Sequence, residues 1–391
     1  MGNTLFSMAV YWYVLSATQS RADLGYVGSI LSLAGLVGLV SGALVDRWNR
    51  RRTMIVSDAV RVALSLVLLV AALGHHMPVA FLVATVLVMA VVGTVFTPAA
   101  SALVPSIVVP DQLVGANGMM QSAAATAQLA GASFGGVLLG IFGPVVLFGF
   151  NGASFAVSVS SLMLLRVVAA PRTPSGRLAL AQAGRRLWTD VAEGQRLIWT
   201  SPWMRRSVPI SLVVNFAAAP LNFMDVAWVR QVLHRGAVVY GLFGASVLVG
   251  MIAGSLSASA VTRRVPLNAL LGTGLAMGGL CIVSVSLLPR VAPNLAALFL
   301  FGLFAGVLTT AVPAAMQRHI PDRLLGRVFG TSAALATAAV PLGALLAGLA
   351  AAVLPLQTVF LSAGLLMALA SLLAVGMPET FRLDERAVAG L

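Results

Sequence analysis

The sequence predicts an all-α membrane protein with twelve transmembrane helices in two pseudo-symmetric bundles of six. Three observations support this fold class. Of the 391 residues, 59% are hydrophobic and only 9% are charged, which is too little polar surface for a soluble domain of this length. Apolar runs of about 20 residues, enough to cross a bilayer core of about 30 Å, recur along the chain. The second half also repeats motifs of the first.

Each predicted helix is a continuous apolar run, whereas a membrane-spanning strand would alternate. The runs of the first half are Leu5–Ala17, Tyr26–Leu44, Thr53–Leu73, Pro78–Leu103, Ala116–Phe142 and Val145–Leu165. Those of the second half are Ser207–Trp228, Tyr240–Val261, Ala269–Leu288, Leu295–Ala315, Val328–Ala352 and Leu356–Val375. The first run makes only about 20 Å of helix, and no basic segment precedes it. We therefore expect an uncleaved first helix that is truncated at its cytoplasmic end.

Topology, rather than nucleic-acid binding, explains the net charge of +13. All 24 basic residues are arginines. If the chain starts inside, nineteen arginines fall on one side of the membrane, four fall on the other, and Arg61 lies within a helix. Because cytoplasmic loops carry the excess of basic residues, we expect both chain ends in the cytoplasm and the protein in the inner membrane. We expect the bilayer, and no nucleic acid, as its macromolecular surroundings.

An internal repeat sets the domain organisation. The segment from Ile320 to Gly326 is a near copy of the segment from Val109 to Gly115, 211 positions earlier. Parallel six-helix repeats are a transporter architecture whose substrate site lies between the halves, near the bilayer midplane. The predicted boundaries are a first bundle over 1–165, a cytoplasmic linker over 166–206, a second bundle over 207–378 and a cytoplasmic tail over 379–391.

The predicted linker is the longest polar stretch of the chain. Leu187, Val191 and Leu197, with Trp188 and Trp199 nearby, favour an amphipathic helix on the cytoplasmic face. A solvated linker without a helix is an equal alternative.

A motif in the loop after the second helix carries a family resemblance. This loop contains Gly42, Asp46, Arg47, Asn49, Arg50, Arg51 and Arg52. It resembles the Gly-x-x-x-Asp-Arg-x-Gly-Arg-Arg signature of the major facilitator superfamily, with asparagine in place of a glycine; asparagine also tolerates left-handed backbone. Asp58, Arg61 and the phrase Phe96-Thr-Pro98-Ala are similar to the macrolide-efflux branch of the drug:proton antiporters. The resemblance implies the major facilitator fold and an exporter of drug-like molecules.

The resemblance also implies a conformational gate in this loop, formed by Gly42, Asp46, Arg47, Arg50 and Arg51. In the family, the loop aspartate, here Asp46, meets the N-terminal end of the eleventh helix, here near Arg327. Unpaired amide groups and the helix dipole stabilise a carboxylate at that place. In the alternative interpretation, the arginines only anchor the topology and Asp46 is solvated.

Glycines in the fifth helix predict close helix packing. Gly131, Gly135 and Gly136, with Gly140 one turn further on, place small residues at four-residue spacing. The segment resembles the antiporter motif of the superfamily, although Ala132 replaces its usual proline. Generic packing of glycine-rich helices is an equal alternative.

Three charged residues lie within predicted spans, where an unpaired charge costs several kcal/mol. Asp58 and Arg61 are three positions apart on one helical face and can pair, as a structural pair or as a conformational element. Asp225 has no basic residue within one turn. It is either a carboxylate that carries protons or a rim residue answered by Arg230 or water.

Aromatic, apolar and amide side chains suggest a cavity for bulky lipophilic molecules rather than sugars. The candidate lining residues are Tyr11, Trp12, Gln121, Gln128, Asn215, Phe216, Asn222 and Met224, with Asn3 and Asn151 beside them. Each of them, taken singly, is also a plausible packing residue. The sequence has no phosphate-binding Gly-x-x-x-x-Gly-Lys loop, no metal-ligand cluster and no catalytic triad.

These features predict a monomeric secondary transporter that is not an enzyme. It would export a lipophilic small molecule by alternating access, using no cofactor and driven by the proton gradient. A lipid or siderophore carrier of the same fold is the first alternative. An intramembrane enzyme or receptor ranks below it, because titratable groups do not cluster at one depth.

Overall fold

The computed structural model describes residues 2–45, 48–74, 77–104, 107–109, 112–165, 202–319, 322–374 and 377. Every regular element within these ranges is helical. The chain divides into two compact units. Unit 1 comprises Met1–Arg177 with Arg235–Leu242, and unit 2 comprises Leu178–His234 with Phe243–Leu391. The predicted amphipathic linker helix and the cytoplasmic tail lie outside the described residues.

Unit 1 is built around one long helical segment. Its helices are α1 (Gly2–Thr18), α2 (Arg21–Val45), α3 (Arg50–Leu73), α4 (Val79–Gly93), α5 (Phe96–Leu103) and α6 (Leu113–Leu164). Helix α6 joins two predicted spans at Gly143, whose φ of 73° favours glycine, and Pro144 follows without a backbone N–H. Both α1 and α3 pack against α6, which therefore positions the polar residues described below.

Unit 2 packs its helices through glycines. Its elements are α7 (Pro202–Ala217), α8 (Ala219–Phe223), α9 (Asp225–Ala227), α10 (Ala237–Thr262), α11 (Leu267–Leu287), α12 (Val291–His319), α13 (Asp322–Val353) and α14 (Leu356–Ala370). The first residues of α10, up to Leu242, belong to unit 1. Helix α11 packs against α12 and α14, while α7 packs against α13 and α14.

The seventh predicted span is broken. Trp203–Phe223 and Asp225–Val232 meet at an angle of 41°. Met224 forms the break with φ −105° and ψ −3°, and a π-helical turn over Trp228–Val232 follows α9. The break places Asp225 at the start of a new helical segment.

The predicted fold class is confirmed, and the predicted count of twelve spans is confirmed in part. In the described part of the chain, eight helices are long and apolar enough to cross a membrane, and the bent pair makes nine. One of the eight, Met119–Leu164, covers two predicted spans. Helix α1 has 17 residues and is not counted among the eight.

Candidate functional site

A buried ion pair lies at the centre of unit 1. Asp58 and Arg61 stand one turn apart on α3, where they are 1% and 7% exposed. Arg61 Nη2 lies 3.0 Å from Asp58 Oδ1, so the pairing predicted from their spacing is confirmed. Ser158 Oγ of α6 donates a hydrogen bond of 2.5 Å to Asp58 Oδ2. The carboxylate is therefore held by two helices.

Two aromatic rings and a serine complete the surroundings of the Arg61 guanidinium. Its carbon Cζ lies 4.5 Å from the ring centroid of Phe155 and 5.3 Å from that of Phe96. Both distances are within the range of a cation–π contact. Nη2 also donates to Ser57 Oγ at 3.1 Å. Arg61 Nε is buried and has no hydrogen-bond partner among the described residues.

Arg61 forms part of the wall of a cavity of about 490 Å³ within unit 1. This volume is in the range of small-molecule sites. The wall is mostly apolar and aromatic, with a few amide and hydroxyl groups. Its residues are Asn3, Phe6, Ser7, Tyr11, Leu31, Ala34, Gly35, Arg61, Val86, Met89, Ala90, Gly93, Thr94, Phe96, Thr97, Asn151 and Phe155. We call this space the unit 1 cavity.

The cavity residues predicted in the first half of the chain are distributed over several places. Tyr11 lines the unit 1 cavity, as do Asn3 and Asn151. The Trp12 ring stacks on the Tyr240 ring, with centroids 6.2 Å apart. Gln121 and Gln128 are exposed on α6 and are not among the residues that line the cavity.

The residues predicted in the second half also separate. Phe216 lines a smaller apolar cavity of about 200 Å³ in unit 2, together with residues of α13 and α14. The amides of Asn215 and Asn222 donate to backbone oxygens one turn earlier on their own helices. Met224 is fully buried at the break of the seventh span.

Asp225 occupies the first position after that break. It is half-buried, and its Oδ1 accepts a hydrogen bond of 2.7 Å from the Val226 backbone N–H. Within the described residues, no ion pair to this carboxylate is recorded. Asp225 therefore lies inside the seventh predicted span, at the start of a helical turn whose first backbone N–H donates to its own carboxylate.

The structure describes only some residues of the predicted gate. Asp46 and Arg47 lie outside the described residues, and Gly42 belongs to α2. Arg50 is the exposed first residue of α3. Arg51 donates to the last carbonyl groups of α6, from Nε to Leu162 O at 2.8 Å and from Nη2 to Met163 O at 2.7 Å. Its position is that of a cation at a helix C-terminus.

The asparagine of the loop motif has a different role from the one its sequence suggests. Asn49 has φ −70° and ψ 108°, so it adopts extended rather than left-handed backbone. Its side-chain Oδ1 accepts a hydrogen bond from the Arg52 backbone N–H at 3.1 Å. Asn49 is therefore the N-cap of α3, because its oxygen satisfies a free amide of the first turn.

The predicted close packing around the glycines of α6 is observed within unit 1. A Cβ atom on Gly135 would lie 2.9 Å from Leu5 Cδ2, which places α1 directly against α6. A Cβ atom on Gly136 would lie 2.7 Å from the Cα of Gly241, at the start of α10. Gly136 meets backbone atoms and has no room for a larger side chain, whereas Gly135 meets the ends of the Leu5 and Met8 side chains.

Sequence reasoning missed Ser57, Ser158 and Phe155 as partners of the ion pair. They lie on α3 and α6, where serines and phenylalanines are common and carry no spacing signal. The part of the chain that the structure describes contains no group of His, Cys, Asp or Glu side chains that could hold a metal ion.

Comparison with known proteins gives a family match over most of the chain. The family model described as Major Facilitator Superfamily matches residues 1–339. The multidrug efflux pump Tap of Mycolicibacterium fortuitum is 26% identical, over 98% of this chain and 94% of the relative. Macrolide efflux protein A of Streptococcus pyogenes is 23% identical, over 98% of this chain and 94% of the relative.

Solved transporters share the fold. A D-xylose–proton symporter matches with a TM-score of 0.71 at 15% identity, over 97% of this chain and 96% of that chain. A peptide transporter of the POT family matches with a TM-score of 0.72 at 15% identity, over 98% of this chain and 96% of that chain. The family resemblance predicted from the loop motif is confirmed.

Proposed function

The chain belongs to the Major Facilitator Superfamily, and we propose that it exports lipophilic small molecules across the cytoplasmic membrane by alternating access. It is a multi-pass membrane protein of a transporter family. The observation that carries the proposal is the unit 1 cavity, whose wall is aromatic and apolar apart from Arg61 and a few amides and hydroxyls. A sugar would need many more hydrogen-bonding groups.

The relatives support export as the direction of transport. Two of them carry the names multidrug efflux pump and macrolide efflux protein, and each covers almost all of this chain. We therefore favour efflux of drug-like molecules over the import of sugars or peptides. In this proposal the protein acts as a monomer in the inner membrane, with both chain ends in the cytoplasm.

We further propose that the proton gradient drives export and that Asp225 carries the proton. Asp225 is a carboxylate within a broken span, and no cation pairs with it in the described part of the chain. Broken helices in transporters place backbone groups and ion sites in the membrane interior. A proton carrier must exchange with both sides of the membrane in turn, which a carboxylate locked in an ion pair, such as Asp58, could not do freely.

Everted membrane vesicles test both parts of this proposal. Vesicles that contain the protein should take up erythromycin, a macrolide, when a proton gradient is imposed, and a protonophore should abolish uptake. Asp225→Asn should remove gradient-driven uptake while leaving downhill exchange measurable. Asp23→Asn, at the start of α2, is the matched control and should transport normally.

The possible results are distinct. Vesicles that take up neither erythromycin nor any member of a panel of lipophilic drugs would contradict export. Uptake that survives the protonophore, or an Asp225→Asn variant that still concentrates the drug, would contradict proton coupling through this residue.

The loop aspartate is proposed as the gate. Asp46→Asn should leave folding intact and change the fraction of molecules open to each face, because the carboxylate would no longer favour one conformation. Labelling of single cysteines placed on the two faces measures these populations. Unchanged populations would show that Asp46 is only a solvated loop residue.

A further inference from the structure

We infer that Arg61 forms a hydrogen-bonding subsite in the unit 1 cavity for lipophilic molecules that carry an uncharged oxygen acceptor, such as a ketone, ester or amide carbonyl. This inference rests on the proposed function, since it names the chemical class of the exported molecule. It concerns Arg61, the only charged side chain among the residues that line this mostly apolar cavity.

The surroundings of the Arg61 guanidinium limit the side from which a ligand can approach it. Phe155 and Phe96 pack against the guanidinium, with ring centroids 4.5 and 5.3 Å from Cζ. A planar guanidinium donates hydrogen bonds only in its own plane, along its N–H edge. The Cα of Gly93 lies beside this edge, since a Cβ atom there would be 3.5 Å from Arg61 Nη1. Because Gly93 has no side chain, it leaves room there, and it also lines the cavity.

Some N–H donors of Arg61 are not used by the described residues. The described contacts of the guanidinium with Asp58 and Ser57 both start at Nη2. Nε is fully buried without a hydrogen-bond partner among the described residues, and none of the described hydrogen bonds and ion pairs of the side chain uses Nη1, the nitrogen beside Gly93. Because Arg61 and Gly93 both line the cavity, an occupant that brings an oxygen to Nη1 gains a charge-assisted hydrogen bond.

The charge pair also determines which charge a ligand should carry. Asp58 already neutralises Arg61, so a second anion would lose its hydration and gain little attraction. A lipophilic cation would lose its hydration at the guanidinium edge, and its charged group would offer no acceptor to the N–H groups. A neutral carbonyl compound avoids both penalties, while its hydrocarbon part fits the Met89, Val86 and Phe6 wall.

A matched pair of fluorescent probes tests the inference on the purified full-length protein in nanodiscs. One probe is 6-propionyl-2-(dimethylamino)naphthalene, a neutral ketone. The other is 6-propyl-2-(dimethylamino)naphthalene, which has the same skeleton without the carbonyl. We expect the wild-type protein to bind the ketone about tenfold more tightly, the value of one charge-assisted hydrogen bond. The emission of the bound ketone should also shift to the red, because its carbonyl accepts a hydrogen bond.

Asp58→Leu combined with Arg61→Met removes both charges together and should bind the two probes equally. The control is Leu270→Met combined with Thr273→Val on α11, which should keep the tenfold preference. If the first double variant does not fold, Arg61→Lys takes its place. Lysine keeps the charge but has no planar edge, so the preference should fall below about threefold.

Equal binding of the two probes by the wild-type protein, or a preference that persists without Arg61, would overturn the inference. A protein that prefers the ketone but exports nothing would contradict only the proposed export. Export by a protein with no preference would contradict only this subsite.

Discussion

Helices α3 of unit 1 and α11 of unit 2 occupy the same place in the repeat but have opposite chemistry. Leu270 and Thr273 stand 212 positions after Asp58 and Arg61, the same offset that relates Arg263 to Arg51. Leu270 is buried in an apolar cluster with Ala258, Val307 and Ala311, whereas Thr273 is exposed. One copy of the repeat therefore holds a buried ion pair where the other holds a buried leucine and an exposed threonine.

Helices α10 and α12 of unit 2 are held together by backbone contact. A Cβ atom on Gly250 of α10 would lie 2.0 Å from Phe299 O of α12, and one on Gly254 would lie 2.0 Å from Leu303 O. Van der Waals packing of small residues is the main force between membrane helices, since lipid is as apolar as the side chains. The repeated set of helices therefore does not need the charges of Asp58 and Arg61 in order to form. In unit 1, Arg61 of the pair also lines the cavity.

Breaking the ion pair should give the largest effect. Asp58→Ala leaves Arg61 buried and unpaired, which should lower the free energy of unfolding by about 3–5 kcal/mol. Denaturation with SDS in dodecyl maltoside micelles measures this change. The double variant Asp58→Leu with Arg61→Met places apolar side chains at both positions and should recover most of the loss, because apolar replacement of a buried pair is often neutral. If the double variant were as unstable as the single one, the helix packing of unit 1 would depend on the ion pair.

The second effect concerns the backbone contact between α10 and α12 of unit 2. Gly250→Ala forces a methyl group against the Phe299 carbonyl and should lower the free energy of unfolding by about 3 kcal/mol. Gly272→Ala on α11 is the matched control, since its nearest neighbour would be 3.6 Å away. The same SDS titration compares the two variants. Equal stability would mean that α10 and α12 separate at little cost.

A smaller effect should follow from loss of the hydrogen bond that Ser158 of α6 donates to Asp58. Ser158→Ala removes the hydrogen bond to Oδ2 and should destabilise unit 1 by about 2 kcal/mol, because the acceptor is a charged group. Ser160→Ala is the control, as this exposed hydroxyl donates only to Ala156 O on its own helix. Thermal unfolding of the two variants, followed by size-exclusion chromatography, should separate them. No difference would show that α6 contributes nothing to holding the carboxylate.

The smallest effect should come from Arg51. Arg51→Gln removes the cation from the C-terminal end of α6 and should cost about 1 kcal/mol. Arg52→Gln, at the neighbouring exposed position, should cost less than about 0.5 kcal/mol. A loss in Arg51→Gln that vanishes at high salt would confirm an electrostatic contact, whereas equal losses in both variants would make Arg51 an ordinary topology anchor.

The part of the candidate site that lies within one helix could be predicted from sequence. Asp58 and Arg61 are three positions apart, and helix geometry alone places them on one face. The spacing of the glycines in α6 likewise predicted close helix packing. The partners from other helices, Ser158 and Phe155, could not be predicted, because no spacing relates α6 to α3.

By itself, the sequence determined the fold class, the repeat and the family. These follow from the length and frequency of apolar runs and from local motifs, which need no knowledge of neighbouring helices. Only the tertiary structure decided which face of each helix looks inward. Met224 was a candidate for the cavity and is fully buried, whereas Val157, next to Ser158, is exposed. In a soluble helix, the polar stripe would mark the outside. In a membrane, lipid and protein core are equally apolar, so hydrophobicity does not distinguish the two faces, and packing alone selects one.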